Sequence, residues 1–245
     1  MPLILSGLNM SLFARSPALS GGDPSFAFVS FLCDFEGSEG GQDAVDLSNS
    51  PATITWDASA EVNASAVKLG TTGLDTPNAD NISIPNARGN FGTGDFTIEG
   101  YFNAEFFNST KQRAPMGTLA FADTDSWALW VLDNGDNNYL QFNVQDTGAL
   151  VTGTTNLATD TWYHFAVSKN GTTMRLFVDG VMENKNASVS GSLAIGGTGA
   201  MQIGGCNESS RDWFGFADVV RITKGVGRYN SDTSFTPPTE FYPTD

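Results

Sequence analysis

The side chains that could do chemistry in this sequence are carboxylates, one histidine, two cysteines and scattered tryptophan and tyrosine. Retaining glycoside hydrolysis needs two carboxyl groups roughly 5 Å apart, a placement that alternate residues of one strand can supply. No glutamate here is followed two residues later by an aspartate. Glu99 leads to Gly100 and Tyr101, and Glu183 to Asn184 and Lys185. A Ser–His–Asp arrangement would have to use His164, which lies inside a β-rich run with no Gly-x-Ser-x-Gly nearby. His164 therefore reads as a sheet residue whose ring nitrogens are satisfied locally, and a lone histidine speaks against zinc. No catalytic residue is assigned; the expectation is a protein that is not an enzyme.

Calcium takes several oxygen ligands from carboxylates and carbonyls. Asp123 and Asp125 stand two apart, and Asp133 and Asp136 fall in an oxygen-rich run that continues to Asn138. These four are the metal candidates, although the run lacks the EF-hand pattern and Asp, Asn and Gly are also the best turn formers. No other cofactor is required. Glycan contact needs exposed aromatic faces, for which Trp127, Trp130, Tyr139 and Trp213 are the candidates. Trp127 and Trp130 have opposite parity, so at most one of them faces the core of a regular strand. Cys33 shares its parity with Val29, Phe31 and Phe35 and should point inward. A bridge to Cys206 stays open, because the sequence does not fix the Cα spacing it needs.

Turn-punctuated β-formers must position these groups. From Trp162 to Val181 two β-rich runs are joined through Asn170-Gly171, and the second ends at Asp179-Gly180. Both dipeptides tolerate the positive φ of a type I′ hairpin turn. Met174, Leu176 and Val178 share one face, and Arg175, Phe177 and Asp179 the other, as a half-buried strand requires. Further strands are expected near 26–35, 53–56, 66–69, 81–84, 95–103, 116–121, 126–132, 139–145, 201–204 and 213–223. With 27 Gly, 18 Phe and no long amphipathic period, the 245 residues read as one large all-β sandwich. The tail from Phe235, interrupted by prolines, should pack across that sandwich through Phe235, Phe241 and Tyr242. A net charge of −15 speaks against nucleic acid and against an anionic membrane surface as partners. Arg211, Arg221, Lys224 and Arg228, denser toward the end, read as surface pairing.

Several of these runs resemble one family. The Trp162–Val181 hairpin is similar to the signature of laminin-G-like, concanavalin A-like sandwich domains. The runs from Asp23 to Gly37, Gly92 to Glu99 and Phe214 to Tyr229, followed by Phe235-Thr-Pro-Pro238, resemble the opening, central and closing strands of those domains in the right order. The resemblance covers residues 23–245 and implies a two-sheet antiparallel jelly-roll-like sandwich. Glycosidases among such sandwiches carry a Glu-x-Asp-x-Glu or Glu-x-Asp-x-x-Glu strand, which is absent here. The closing strand and tail are similar to versions carried by virion proteins of tailed bacteriophages.

Residues 1–22 stand apart as an N-terminal arm. Leu3, Ile4, Leu5, Leu8, Met10, Leu12 and Phe13 are apolar, yet Ser6, Gly7, Asn9 and Ser11 break the set too often for a membrane span. Ordering such an arm costs roughly 1–2 kcal/mol per residue of backbone, which docking on a partner offsets. The arm is therefore expected to attach the protein to other virion proteins, of capsid or tail, or to copies of itself. The resulting expectation is a non-enzymatic decoration or head/tail accessory subunit on a virion surface, made in the host cytoplasm. A glycan-binding adsorption module that meets host surface glycans is the alternative, and a carbohydrate hydrolase comes third.

Overall fold

The computed structural model describes residues 21–107, 112–118, 126–133, 137–193, 199–207 and 211–245. Among them run β1 (Val29–Cys33), β2 (Thr55–Trp56), β3 (Glu61–Asn63), β4 (Gly73–Thr76), β5 (Ile82–Ile84), β6 (Phe96–Ala104), β7 (Arg113–Gly117) and β8 (Trp127–Asp133). The rest are β9 (Asn138–Val144), β10 (Gly148–Thr152), β11 (Trp162–Asn170), β12 (Thr173–Val178), β13 (Val181–Asn186), β14 (Met201–Ile203) and β15 (Gly215–Lys224). Every described pairing is antiparallel. An eight-stranded sheet has the order β13-β12-β11-β6-β15-β4-β3, with β1 also on β15; a seven-stranded sheet runs β10-β9-β8-β7-β14-β5-β2. This is the expected two-sheet sandwich.

Alternation fixes which side chains lie between the sheets. Phe96, Ile98 and Phe102 of β6, Phe165 and Val167 of β11, and Met174, Leu176 and Val178 of β12 enter one core with Trp127, Leu129 and Val131 of β8 and Leu140 and Phe142 of β9. The β11–β12 loop differs from expectation by one residue. Asn170 pairs with Thr173, so the loop is Gly171–Thr172. Only Gly171 has positive φ, at 57°, the pattern of a type II′ turn. The turn after β12 has the expected positive φ at both Asp179 and Gly180.

Near 66–69 the expected strand is replaced. A 3-10 turn over Ala64–Ala66 is capped by Asn63, whose side-chain oxygen accepts from the Ser65 amide at 2.8 Å. The next free amides, of Lys68 and Leu69, donate to the buried Asp218 carboxylate instead of to a strand, each at 2.8 Å. Strands β3, β4, β10 and β13 were not expected. They are short or polar; β13 is an edge strand with few buried side chains and no strong apolar alternation.

Irregularity on β15 has the largest consequence. Val219 is in the left-handed region at φ 48°, an unusual place for a β-branched residue. The register against β6 shifts between Asp218 and Arg221 at the same point. This bulge adds a residue, so Ala217, Val220 and Ile222 all enter the core while Asp218 and Arg221 point outward.

Candidate functional site

The outer face of the eight-stranded sheet is closed by the C-terminal tail. Phe235 stacks on Tyr229 with centroids 3.8 Å apart and meets Phe177 and His164 edge-on. Beneath the tail, Arg221 donates to Glu99 Oε1 from Nε at 2.9 Å and from Nη2 at 2.8 Å. Glu99 Oε2 accepts from the hydroxyls of Tyr229 at 2.5 Å and Tyr242 at 3.0 Å. Asp23 takes Arg221 on one side and both terminal nitrogens of Arg228 on the other. The Arg221 guanidinium lies 3.6 Å from the Tyr242 ring centroid. Arg221 and Arg228 are thus parts of a buried network, which corrects their reading as surface pairs.

Burial alone would raise the Glu99 carboxyl, but Arg221, His164 and Tyr229 hold it below its ordinary value. His164 is fully buried, and desolvation brings it down to about 4 against the pull of Glu99 and Asp179. Its Nε2 stands 3.4 Å from the Tyr242 hydroxyl, while Nδ1 finds no partner among the described residues, so local satisfaction is half achieved. Every oxygen of Glu99 is committed to the network. Chemically this face is a clasp.

The outer face of the seven-stranded sheet is different. Strand pairing aligns Asn143, Ala128, Gly117, Gln202, Ser83 and Thr55 in one row across β9, β8, β7, β14, β5 and β2. Gly117 lets the backbones approach, since a Cβ there would stand 2.7 Å from that of Ala128. Beside the row, Trp130 packs with Ala114, Ala128 and Cys206, and the Arg211 guanidinium lies 4.3 Å from its ring centroid. Gln141, paired with Trp130 across the strands, donates from Nε2 to Thr152 Oγ1 at 2.9 Å. Two buried groups on this face, Trp130 Nε1–H and Gln202 Oε1, find no hydrogen-bond partner among the described residues. An indole donor, an amide acceptor and further amides on one sheet face can exchange hydrogen bonds with a hydroxyl-rich ligand.

Residues 76–226 match the family described as Laminin_G_3, the concanavalin A-like lectin/glucanases superfamily. The chain belongs to that superfamily. No curated protein matches the sequence. Among solved structures, this concanavalin A-like chain is similar to domain 4 of AbnA, a GH43 extracellular arabinanase from Geobacillus stearothermophilus, in complex with arabinotriose. That match has 15% identity and a TM-score of 0.60, covering 80% of this chain and 92% of the other. The binding domain of Paraclostridial Mosquitocidal Protein 1 matches at 13% identity and TM-score 0.61, covering 82% of this chain and 50% of its own. The botulinum neurotoxin serotype D binding domain matches at 11% and 0.58, covering 82% and 49%. This chain spans about half the length of those two toxin domains. At such identities the likeness is one of fold.

Within the superfamily fold, the four aromatic candidates separate. Trp127 and Trp213 lie in the main core, and Trp127 Nε1 donates to the Gly89 carbonyl at 2.8 Å. Neither offers a face for stacking, because the strand parity of Trp127 and the packing of Trp213 against Phe102 turn both inward. Trp130 and, by its parity on β9, Tyr139 lie on the outer face of the seven-stranded sheet. Asn143, Gln141 and Gln202 were missed; the apolar alternation of Leu140, Phe142 and Val144 was the signal that could have placed the first two. Asp123, Asp125 and Asp136 lie outside the described residues, as does the Asp133 side chain, and so do the arm residues Leu3, Ile4, Leu5, Leu8, Met10, Leu12 and Phe13. Among the described residues no group of three or more His, Cys, Asp or Glu could hold a metal. Cys33 lies in the main core and Cys206 beyond the other sheet with Trp130, so the two do not bridge. Among the described residues no helix is long and apolar enough to cross a membrane.

Proposed function

We propose that this chain is a non-catalytic, lectin-like module that binds neutral glycan through the outer face of its seven-stranded sheet. The observation that carries the reading is that Trp130 Nε1–H and Gln202 Oε1, on the same face as the Asn143 amide, find no hydrogen-bond partner among the described residues. Unpaired buried polar groups are costly in a folded protein, so a ligand that satisfies them gains what the free protein lacks. Support also comes from the similar folds, which include toxin binding domains and an arabinanase domain holding arabinotriose. Binding without turnover is favoured by the fate of Glu99 and His164, both held under the tail and away from any open face.

The test is a glycan microarray followed by calorimetry on the best neutral oligosaccharide, beginning with arabinotriose. Gln202→Ala and Asn143→Ala should each weaken binding at least tenfold without moving the unfolding midpoint. Absence of any glycan ligand, or affinities unchanged in both variants, would overturn the reading.

A virion setting is the second part of the proposal. It rests on the resemblance of the closing strand and tail to bacteriophage virion proteins and on the place where the arm joins the sandwich. The Asp23 amide donates to the Asp245 carbonyl at 2.7 Å, on the outer side of the eight-stranded sheet. An arm that attaches to capsid or tail from there leaves the glycan face pointing away. Mass spectrometry of purified particles should find the protein at a fixed copy number. Deleting residues 1–22 should leave it folded but absent from particles; a truncated protein that loses stability and still assembles refutes the arm as anchor.

A further inference from the structure

A pocket opens at the rim of the sandwich, between the β9–β10 hairpin and the segment that follows β13. Its volume is about 210 Å³. The floor is aliphatic: Val144, Leu150, Val189 and Leu193, three of them buried members of the main core. The walls bring hydroxyls from Thr147, Ser188, Ser190 and Ser192, and no charged side chain lines it.

The walls are fixed from several sides. Asn186 Nδ2 donates to the Leu150 carbonyl at 3.0 Å and its Oδ1 accepts the Ser188 amide at 2.9 Å. The Val189 amide donates to Thr172 O at 2.9 Å, and Leu193 exchanges backbone bonds with Phe91 and Gly92. None of these bonds uses the hydroxyls of Thr147, Ser190 or Ser192, which make no hydrogen bond to the scaffold among the described residues.

We infer that this rim pocket binds a single neutral sugar ring carrying a methyl group, in a site separate from the face proposed above. The volume lies below the roughly 300 Å³ at which pockets begin to take drug-sized ligands, so one ring fits and a chain does not. The floor has no aromatic ring for stacking against a sugar face. It has four branched aliphatic side chains, which accept a methyl, while the hydroxyl walls match ring hydroxyls in number and polarity. In a chain of net charge −15 a neutral lining gives an acidic sugar nothing to pair with. The methyl can come from an acetamido group or from a 6-deoxy position, and the probes distinguish the two.

The full ¹⁵N-labelled chain is titrated with N-acetylglucosamine, rhamnose and glucose. One or both methyl-bearing sugars should shift amides within 144–150 and 186–193 saturably; which of them does so names the source of the methyl. Glucose should bind about fourfold more weakly than the better of the two, the effect of one methyl left out of an apolar floor. A Cβ at Gly191 meets no atom within 4 Å and its φ is not positive, so Gly191→Phe adds bulk at the pocket without backbone strain. That variant, checked for an unchanged unfolding transition, should lose the shifts; Ser190→Val, which keeps the volume, should weaken them severalfold. Shifts confined to β8, β9 and β14, shifts that survive Gly191→Phe, or glucose binding as tightly as both other sugars would each overturn the pocket while leaving the sheet face to be judged by its own variants.

Discussion

The two outer faces of this sandwich are built on the same alternation and do opposite things. On the eight-stranded sheet, Glu99 and Arg221 are buried; Tyr229 and Tyr242 donate to Glu99 and Arg228 to Asp23, while His164 Nδ1 and Asp218 Oδ1 find no partner among the described residues. On the seven-stranded sheet no tail crosses the described residues, the amides of Gln141, Asn143 and Gln202 lie on the face with Trp130 and its stacked Arg211, and Trp130 Nε1–H and Gln202 Oε1 find no partner among the described residues. The difference teaches where to look for function in such a fold. An ion-pair network lying under the tail marks closure, whereas a polar face that the tail leaves uncovered marks a place open to a partner.

Breaking the clasp should have the largest effect. Arg221→Met leaves Glu99 buried with its main counter-charge gone, and loss of one partner from a buried ion pair costs about 3–5 kcal/mol. Urea unfolding should show that loss, and adding Glu99→Gln should restore part of it, because the stranded charge is then removed. A loss below about 1 kcal/mol would mean that the face is not closed by this pair.

Acid should act next, through His164. The unfolded chain takes up the proton near pH 6.5, whereas the fold holds the ring neutral down to about 4. Stability therefore falls as pH drops through that window, by about 3 kcal/mol in all for this group. Asp218 runs the other way: burial raises its carboxyl, so its contribution is lost as pH rises. The difference between wild type and His164→Gln isolates the histidine. That difference should grow smoothly from pH 4 to 6.5, and a flat one would place His164 in contact with water.

Much of the sandwich was legible in the sequence, and the reasons are specific. Met174, Leu176 and Val178 alternate without interruption, so the hairpin and its buried face followed from period alone. Phe235, Phe241 and Tyr242 in a proline-broken tail had no strand to join and had to cover one. The clasp was not legible, because the bulge at Val219 resets the parity of β15 and carries Arg221 to the same side as Asp218. Counting by twos from Ala217 would have sent Arg221 into the core, and no residue type announces a bulge at a valine. The seven-stranded face was half legible. Parity separated Trp130 from Trp127, but Gln202 joined the row only through pairing across β7 and β14, more than 80 residues apart in sequence.

A smaller effect should follow from Tyr242→Phe, which keeps the ring beneath the Arg221 guanidinium and removes one hydroxyl from Glu99 Oε2. A hydrogen bond to a charged group contributes about 1.5–3 kcal/mol, and Tyr229 still serves the same oxygen, so the lower end is expected. Urea unfolding checks it, and a loss equal to that of Arg221→Met would make the hydroxyl, not the ion pair, the centre of the clasp.

The smallest change in stability is expected on the opposite face, from Trp130→Phe. The indole Nε1–H is buried and unpartnered, so removing it deletes a group that the fold has already desolvated without return. Against this stands a weaker stacking of the Arg211 guanidinium, worth about 0.5–1 kcal/mol at most. The packing lost against Ala114, Ala128 and Cys206 adds to that cost, and the unfolding free energy should fall by no more than about 1 kcal/mol. Glycan affinity should nonetheless fall at least tenfold, since the deleted donor is the one the free protein leaves open. The pairing of these two readouts is what separates the faces. A variant that unfolds more easily and binds as before would make Trp130 a packing residue, and the two faces would then differ only in charge.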